Sequence, residues 1–197
     1  MKINYQDLLN FLSDKPSKED LSQKLFQLGH EHEINGDMFD MELTPNRGDC
    51  LSLTGLSRDL AVFFGRSNSI DLFDGDIEPL EIDFENLSPK DCPKVSFLEV
   101  EIEGSKVEYK PYLENYFNTI GGNKANFFTD ISNYISYELG QPTHCFDGES
   151  IKTRLTFENR ECNSTFKTLL GSEVILKNRN CVFTLDGEVI SLAGVMG

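Results

Sequence analysis

A chain of 197 residues with 39% hydrophobic residues, 15 Phe and no Trp suits one large domain or two small ones, and excludes disorder for most of its length. Its formal charge of −15, from 18 Lys+Arg against 33 Asp+Glu, excludes avid sequence-independent binding of nucleic acid by this chain alone, because phosphate repels it unless the cations gather on one face. Five Cys without a C-x-x-C pair argue against a zinc site and a disulfide framework. No apolar run approaches the roughly 18 residues of a membrane span, so a soluble, cytoplasmic protein with no membrane partner is expected.

The first predicted element is a helix carrying Tyr5, Leu8, Leu9 and Leu12 on one face, broken at Lys15-Pro16. Ser17 and Asp20 then resemble a capping box, and Leu21, Leu25 and Leu28 form the next stripe until Gly29. Residues 37–43 alternate, with Phe39, Met41 and Leu43 on one side and Asp40 and Glu42 on the other, as a half-buried strand does. The turn Thr44-Pro45-Asn46-Arg47-Gly48-Asp49 follows, with Asp49 expected as the N-cap of a helix bearing Leu53, Leu56, Leu60 and Phe63 and ending at Gly65. Arg47 is expected to pair with Glu42 or Asp49; the alternative is an RNA contact.

Composition then shifts. Asp71, Asp74, Asp76, Glu78, Glu81, Asp83 and Glu85 meet no Lys or Arg before Lys90, which reads as a solvated acidic linker with one short strand. Val95, Phe97, Val100 and Ile102 suggest a bulged strand. Pro111 fits the first position of a helix closed by Gly121-Gly122. A further helix over 124–139 would bury Phe128, Ile131, Ile135 and Leu139 and turn Asn126, Asp130, Asn133 and Tyr137 outward. Short strands are predicted at 154–157, 166–170, 174–176, 182–185 and 189–193, punctuated by Gly171, Asn178 and Asp186-Gly187. The pattern is α+β: a small helix and strand domain over 1–66, an acidic linker over 67–91, and a second α+β domain with short, mostly antiparallel strands over 92–197.

Few residues point to chemistry. Gly121-Gly122 and Gly194-Val195-Met196-Gly197 lack the strand, loop and helix context and the Lys of a phosphate loop. His144 lies just after the last predicted helix, in Gly140-Gln141-Pro142-Thr143-His144-Cys145-Phe146-Asp147. Such a His is ordinarily a hydrogen-bonded structural residue; equally, it serves as a neutral-pH base or as a donor to a developing oxyanion. A Cys145–His144 nucleophilic pair is disfavoured, because adjacent side chains seldom aim at a common atom and no third orienting group is evident. Ser132 and Asn133 precede that loop on the helix; Asn133 is either plainly solvated or lines a polar pocket with His144.

These residues resemble the β subunit of bacterial phenylalanyl-tRNA synthetase. MELTPNRGDCLSLTGLSRDLAVFFG (41–65) resembles its N-terminal domain, DISNYISYELGQPTHCFD (130–147) the signature of its editing domain, and LAGVMG (192–197) that domain's glycine turn. The opening MKINYQDLLNFLSDKP is similar too, so the resemblance covers essentially the whole chain. It departs from the family in several respects, among them the missing later domains, with their catalytic-like module and anticodon-binding end, and the missing α subunit that holds the aminoacylation site. Residues 33–37 cross directly where the family inserts an oligonucleotide-binding fold. Ser132 replaces a usual Thr, and Cys145 a usual Ala. The chain ends at Gly197, before the acidic residue that in the family reads the tyrosine hydroxyl, and an ending inside a glycine turn suggests a cut chain.

The resemblance implies a reason for editing. Tyrosine is phenylalanine plus one hydroxyl, and an apolar pocket rejects such an addition by only about a hundredfold. A second site then hydrolyses the wrong ester by positioning water and stabilising the oxyanion. By resemblance His144 is the catalytic residue, and Ser132, Asn133, Pro142, Leu169, Gly194 and Gly197 line the substrate pocket. The implied partners are the tRNA(Phe) 3′ end, the synthetase α subunit and the remaining β-subunit domains. No cofactor or metal is expected for this chain; ATP and Mg²⁺ belong to the complete synthetase, and aminoacylation by this chain alone is not expected. The alternative is a non-catalytic structural or interaction piece of the synthetase.

Overall fold

Local capping chemistry starts and stops the helices. In the computed structural model, residues 1–67, 74–102, 107–122, 124–168 and 171–195 are described. By contacts they form two units, Met1–Asp74 with Ser105–Thr143, and Gly75–Gly104 with His144–Gly197.

The first unit opens with strand β1 (Lys2–Asn4) and a one-turn helix α1 (Tyr5–Leu9), whose first amides donate to the side chain of Asn4. Helix α2 (Lys18–Gln27) begins at Ser17, whose hydroxyl accepts from the Asp20 amide, as the capping box predicts. Strands β2 (Glu31–Asn35) and β3 (Met38–Glu42) form a hairpin across a two-residue turn at Gly36-Asp37, and the sheet order is β1-β3-β2, all antiparallel. The alternation on β3 holds: Phe39 and Met41 are buried. The sequence reading missed β2, because Glu-His-Glu-Ile-Asn shows no apolar alternation.

A 3-10 turn (Pro45–Cys50) leads into helix α3 (Leu53–Phe64), which ends at Gly65 as expected. Its N-cap is Ser52, not Asp49; the Ser52 hydroxyl accepts from the Gly55 amide. Asp49 is engaged instead by Arg47 and Arg58, a stronger charge-assisted pairing. Helices α4 (Pro111–Ile120) and α5 (Phe127–Leu139) also belong to this unit. Pro111 opens α4, and left-handed Gly121 and Gly140 close the two helices, as the sequence predicts. Leu8, Leu21, Leu25, Leu56, Leu60 and Leu113 are among the fully buried side chains of the shared core.

The face of α5 is corrected. Asp130 and Tyr137, assigned outward, are its buried residues, whereas Phe128 and Leu139, assigned inward, are exposed. Burial is tolerated because each polar group finds a partner. Asp130 accepts from the Tyr109 hydroxyl at 2.6 Å and from the Ala125 amide at 3.1 Å. The Tyr137 hydroxyl accepts from the Asn4 amide at 3.2 Å and donates to Asp7 at 3.3 Å.

Gly55 carries a packing prediction. A Cβ there would lie 2.1 Å from the Asp49 carbonyl oxygen and 3.0 Å from the Cys50 Cα. Alanine is the better helix former by about 1 kcal/mol, so propensity alone favours Gly55→Ala. The clash with backbone reverses the sign, and Gly55→Ala is expected to destabilise by about 1–3 kcal/mol. A lowered urea midpoint at unchanged slope is the expected result; a raised midpoint would show that the 3-10 turn yields without cost.

The second unit is a four-stranded sheet in the order β4-β5-β6-β7: β4 (Phe84–Asn86) pairs parallel with β5 (Leu155–Lys167), which pairs antiparallel with β6 (Glu173–Leu185), and β6 with β7 (Glu188–Leu192). The short strands predicted at 154–157 and 166–170 join as β5, the last two residues lying outside the described set, and those at 174–176 and 182–185 join as β6. Backbone pairing runs unbroken from Leu155↔Leu185 to Lys167↔Glu173, through polar residues that carry no strand signal. Asp186-Gly187 forms the two-residue β6–β7 turn with both φ positive, 49° and 83°. The strand expected through Val95 and Ile102 is absent: the described residues there pair with no strand, and Phe97 packs edge-on against Phe84 at 4.9 Å. One buried cluster of this unit is built on Cys162, Phe166, Leu176 and Val182, and Leu155 and Phe157 on β5 are buried as well.

Candidate functional site

α5 positions the first group of predicted site residues. Ser132 and Asn133 lie in its middle turns, Ser132 half-buried and Asn133 exposed. Beyond Gly140 the chain folds back along the helix, where the Ser136 hydroxyl donates to the Gln141 carbonyl at 3.0 Å and the Thr143 hydroxyl reaches the Ser132 carbonyl at 3.5 Å. These bonds bring exposed Pro142 back beside the turn of α5 that carries Ser132. Leu169 and Gly197 lie outside the described residues.

His144 and Gly194 belong to the second unit. His144 is exposed, yet atoms crowd its ring closely enough that desolvation holds its pKa below the ordinary imidazole value. Its imidazole is therefore neutral at pH 7, with one nitrogen able to accept a proton and the other to donate one. The Phe146 ring stands edge-on to it at 4.5 Å and 71°. The sequence reading did not single out Phe146, whose only signal was an aromatic two residues after the His. Gly194, at φ 72°, turns the chain after β7, and a side chain there would meet no atom of the described residues within 4 Å.

A second polar cluster surrounds the Thr-Pro-Asn-Arg turn in the first unit. Arg47 donates to Asp49 at 3.0 and 3.1 Å, to Asp59 at 2.5 Å and to the Cys50 sulfur at 2.8 Å. Buried His30 meets the same Asp59 oxygen at 3.2 Å. Of the two partners expected for Arg47, Asp49 is correct, and Asp59 takes the place of Glu42. His30, Cys50 and Asp59 have ligand atoms within 4.8 Å of one another. Arg47 supplies the positive charge there, so the group reads as an ion-pair network and not as a metal centre. Burial, and then the Asp59 carboxylate, push the Cys50 thiol up to about 12, which makes it inert. A polar cavity of about 380 Å³ beside this turn is lined by Asp49, Ser52, Arg58, Arg66 and Gln141 among others, and by none of the described residues predicted for the editing pocket.

The family described as the B3/4 domain matches residues 97–197, and the chain belongs to it. Over more of its length it is similar to phenylalanine–tRNA ligase β subunits. That of Fusobacterium nucleatum is 32% identical over 171 residues, 83% of this chain and 21% of the relative. That of Bartonella henselae is 31% identical over 172 residues, again 83% and 21%. That of Burkholderia lata is 26% identical over 98% of this chain. The chain thus spans about a fifth of the length of the relatives it matches. A solved N-terminal fragment of the phenylalanyl-tRNA synthetase β subunit from Pyrococcus horikoshii covers 100% of this chain and 62% of its own at a TM-score of 0.44 and 16% identity, too loose to carry residue positions across. No helix among the described residues is long and apolar enough to cross a membrane.

Proposed function

We propose that this chain carries the editing module of a phenylalanine–tRNA ligase β subunit, hydrolysing the ester that joins tyrosine to the 3′ end of tRNA(Phe). The observation that supports this reading is His144: a neutral, exposed imidazole in the signature loop after α5. A neutral imidazole takes a proton from an attacking water or donates to the carbonyl oxygen as negative charge develops, and either role lowers the barrier of acyl transfer to water. The residues that the resemblance assigns to binding the aminoacyl ester and the terminal ribose are Ser132, Asn133, Pro142, Leu169, Gly194 and Gly197. At Gly194 a side chain would meet none of the described atoms within 4 Å, which suits a close approach of substrate to the backbone. Water is the only co-reactant, so this step needs no cofactor; ATP and Mg²⁺ serve aminoacylation in the complete synthetase.

On this reading residues 92–197 are the editing module and 1–66 its N-terminal neighbour, joined by 67–91, although α4 and α5 pack by contact with the N-terminal elements. The α subunit and the remaining β-subunit domains are the protein partners, and the cytoplasm is the compartment. The second reading is a non-catalytic structural or interaction piece of the synthetase. A deacylation assay with Tyr-tRNA(Phe) separates the two. Hydrolysis above the buffer rate that disappears in His144→Ala supports editing, whereas equal rates with both proteins favour the structural reading.

A further inference from the structure

The proposed chemistry depends on where the His144 ring points, yet no helix or strand holds residues 141–147. Side-chain contacts hold this loop instead. The His144 and Phe146 rings meet edge to face at 4.5 Å, Phe146 meets Phe183 at 5.9 Å and 63°, and Phe183 meets Phe157 at 5.4 Å and 60°. Phe157 and Phe183 are Cα partners on β5 and β6, so this line of rings ends on one rung of the longest strand pair in the unit. The next residue is pinned as well. Asp147 accepts from the Glu149 amide at 3.1 Å and from the Ser150 hydroxyl at 2.9 Å, capping the 3-10 turn Gly148–Ser150. The loop is therefore fixed at residues 146 and 147, and the imidazole two residues earlier rests on the fixed ring.

We infer that Phe146 is the positioning residue of His144, setting the plane of the imidazole through the edge-to-face contact and anchored through Phe183 to the β5–β6 rung. Two physical consequences follow, and both rest on the editing reading only for their use. An aromatic edge-to-face pair has a preferred geometry that an aliphatic side chain does not impose. The phenyl ring also keeps water from one side of the imidazole, which favours its uncharged form. The nearest carboxylate in sequence, Asp147, is committed to capping.

The test is an NMR titration of the histidine Cε1 protons in the 197-residue chain, with the His144 signal assigned by its loss in His144→Ala. Phe146→Leu keeps an apolar side chain and should move the His144 midpoint up toward the ordinary value of about 6.5. Phe146→Tyr, which keeps the ring, should hold the midpoint where the parent has it, and Phe183→Leu should shift it in the same direction as Phe146→Leu but less. An unmoved midpoint in folded Phe146→Leu, checked by circular dichroism, would overturn the inference. So would Phe146→Tyr behaving like Phe146→Leu. In the complete synthetase, Phe146→Leu should lose Tyr-tRNA hydrolysis to an extent approaching that of His144→Ala, and Phe146→Tyr should recover it. His144→Ala in the same assay distinguishes the two failures: undiminished hydrolysis in both variants refutes the editing role of His144, whereas loss in His144→Ala alone overturns the positioning role of Phe146.

Discussion

Asp59→Ala is expected to destabilise the first unit by roughly 2–3 kcal/mol, below the ~3–5 kcal/mol of a fully buried pair because one edge of Asp59 stays open at 16% exposure. One carboxylate oxygen there faces both the Arg47 guanidinium at 2.5 Å and the His30 imidazole at 3.2 Å. Removing it leaves buried His30 without its partner, sets Arg47 against the Cys50 sulfur, and opens space on α3. Urea unfolding checks this, and a loss within about 0.5 kcal/mol, as for an ordinary surface change, would refute it. The same network predicts an acid limb. Burial works against ionised Asp59, but the hydrogen bonds from Arg47 and His30 outweigh it and hold its pKa below the usual carboxylate value. The Arg47 hydrogen bond lowers Asp49 to about 2. Both folded values lie below the unfolded ones, so the stability they contribute is fully present above roughly pH 4 and is lost as pH falls through the folded values. Asp59→Ala should therefore show the shallower loss of stability below pH 4; parallel pH profiles would count against the network.

His144→Ala in the complete synthetase is expected to slow Tyr-tRNA(Phe) hydrolysis about tenfold, some 1.4 kcal/mol of barrier, while phenylalanine charging stays nearly unchanged. The loss is modest because pocket groups and the terminal hydroxyls of the tRNA still orient the water when the imidazole is gone. Charging is spared because, on the proposed division of labour, the two reactions use separate sites. Single-turnover deacylation and initial-rate aminoacylation measure the two halves. Equal losses in both would point to a folding defect, and an undiminished deacylation rate would remove His144 from the catalytic role.

Much of this molecule is legible in residues a few positions apart. Ser17 with Asp20, Pro111 at the start of α4, Gly65 after α3, left-handed Gly121 and Gly140, and Asp186-Gly187 between β6 and β7 all lie where local chemistry puts them. Each depends on hydrogen bonds or dihedral angles within one turn, which short-range sequence encodes directly. Candidate site residues were legible only through long collinear motifs, since a lone His, an Asn on a polar face and a glycine pair are each chemically ambiguous.

The rest was decided between distant residues. Which side of α5 is buried depends on Tyr109, Asn4 and Asp7 offering partners to Asp130 and Tyr137, and periodicity cannot anticipate partners contributed from other elements. β2 exists because β3 supplies its hydrogen bonds, whereas the apolar run through Val95 and Ile102 meets no such edge among the described residues. Arg47 finds Asp59 across twelve residues, and Phe146 finds Phe183 across thirty-seven. By itself the sequence determined the α+β class, the glycine-closed helix ends, the Asp186-Gly187 turn and the family. Only the tertiary structure decided burial, strand pairing and what holds His144, because polar and aromatic groups settle where a partner from elsewhere in the chain satisfies them.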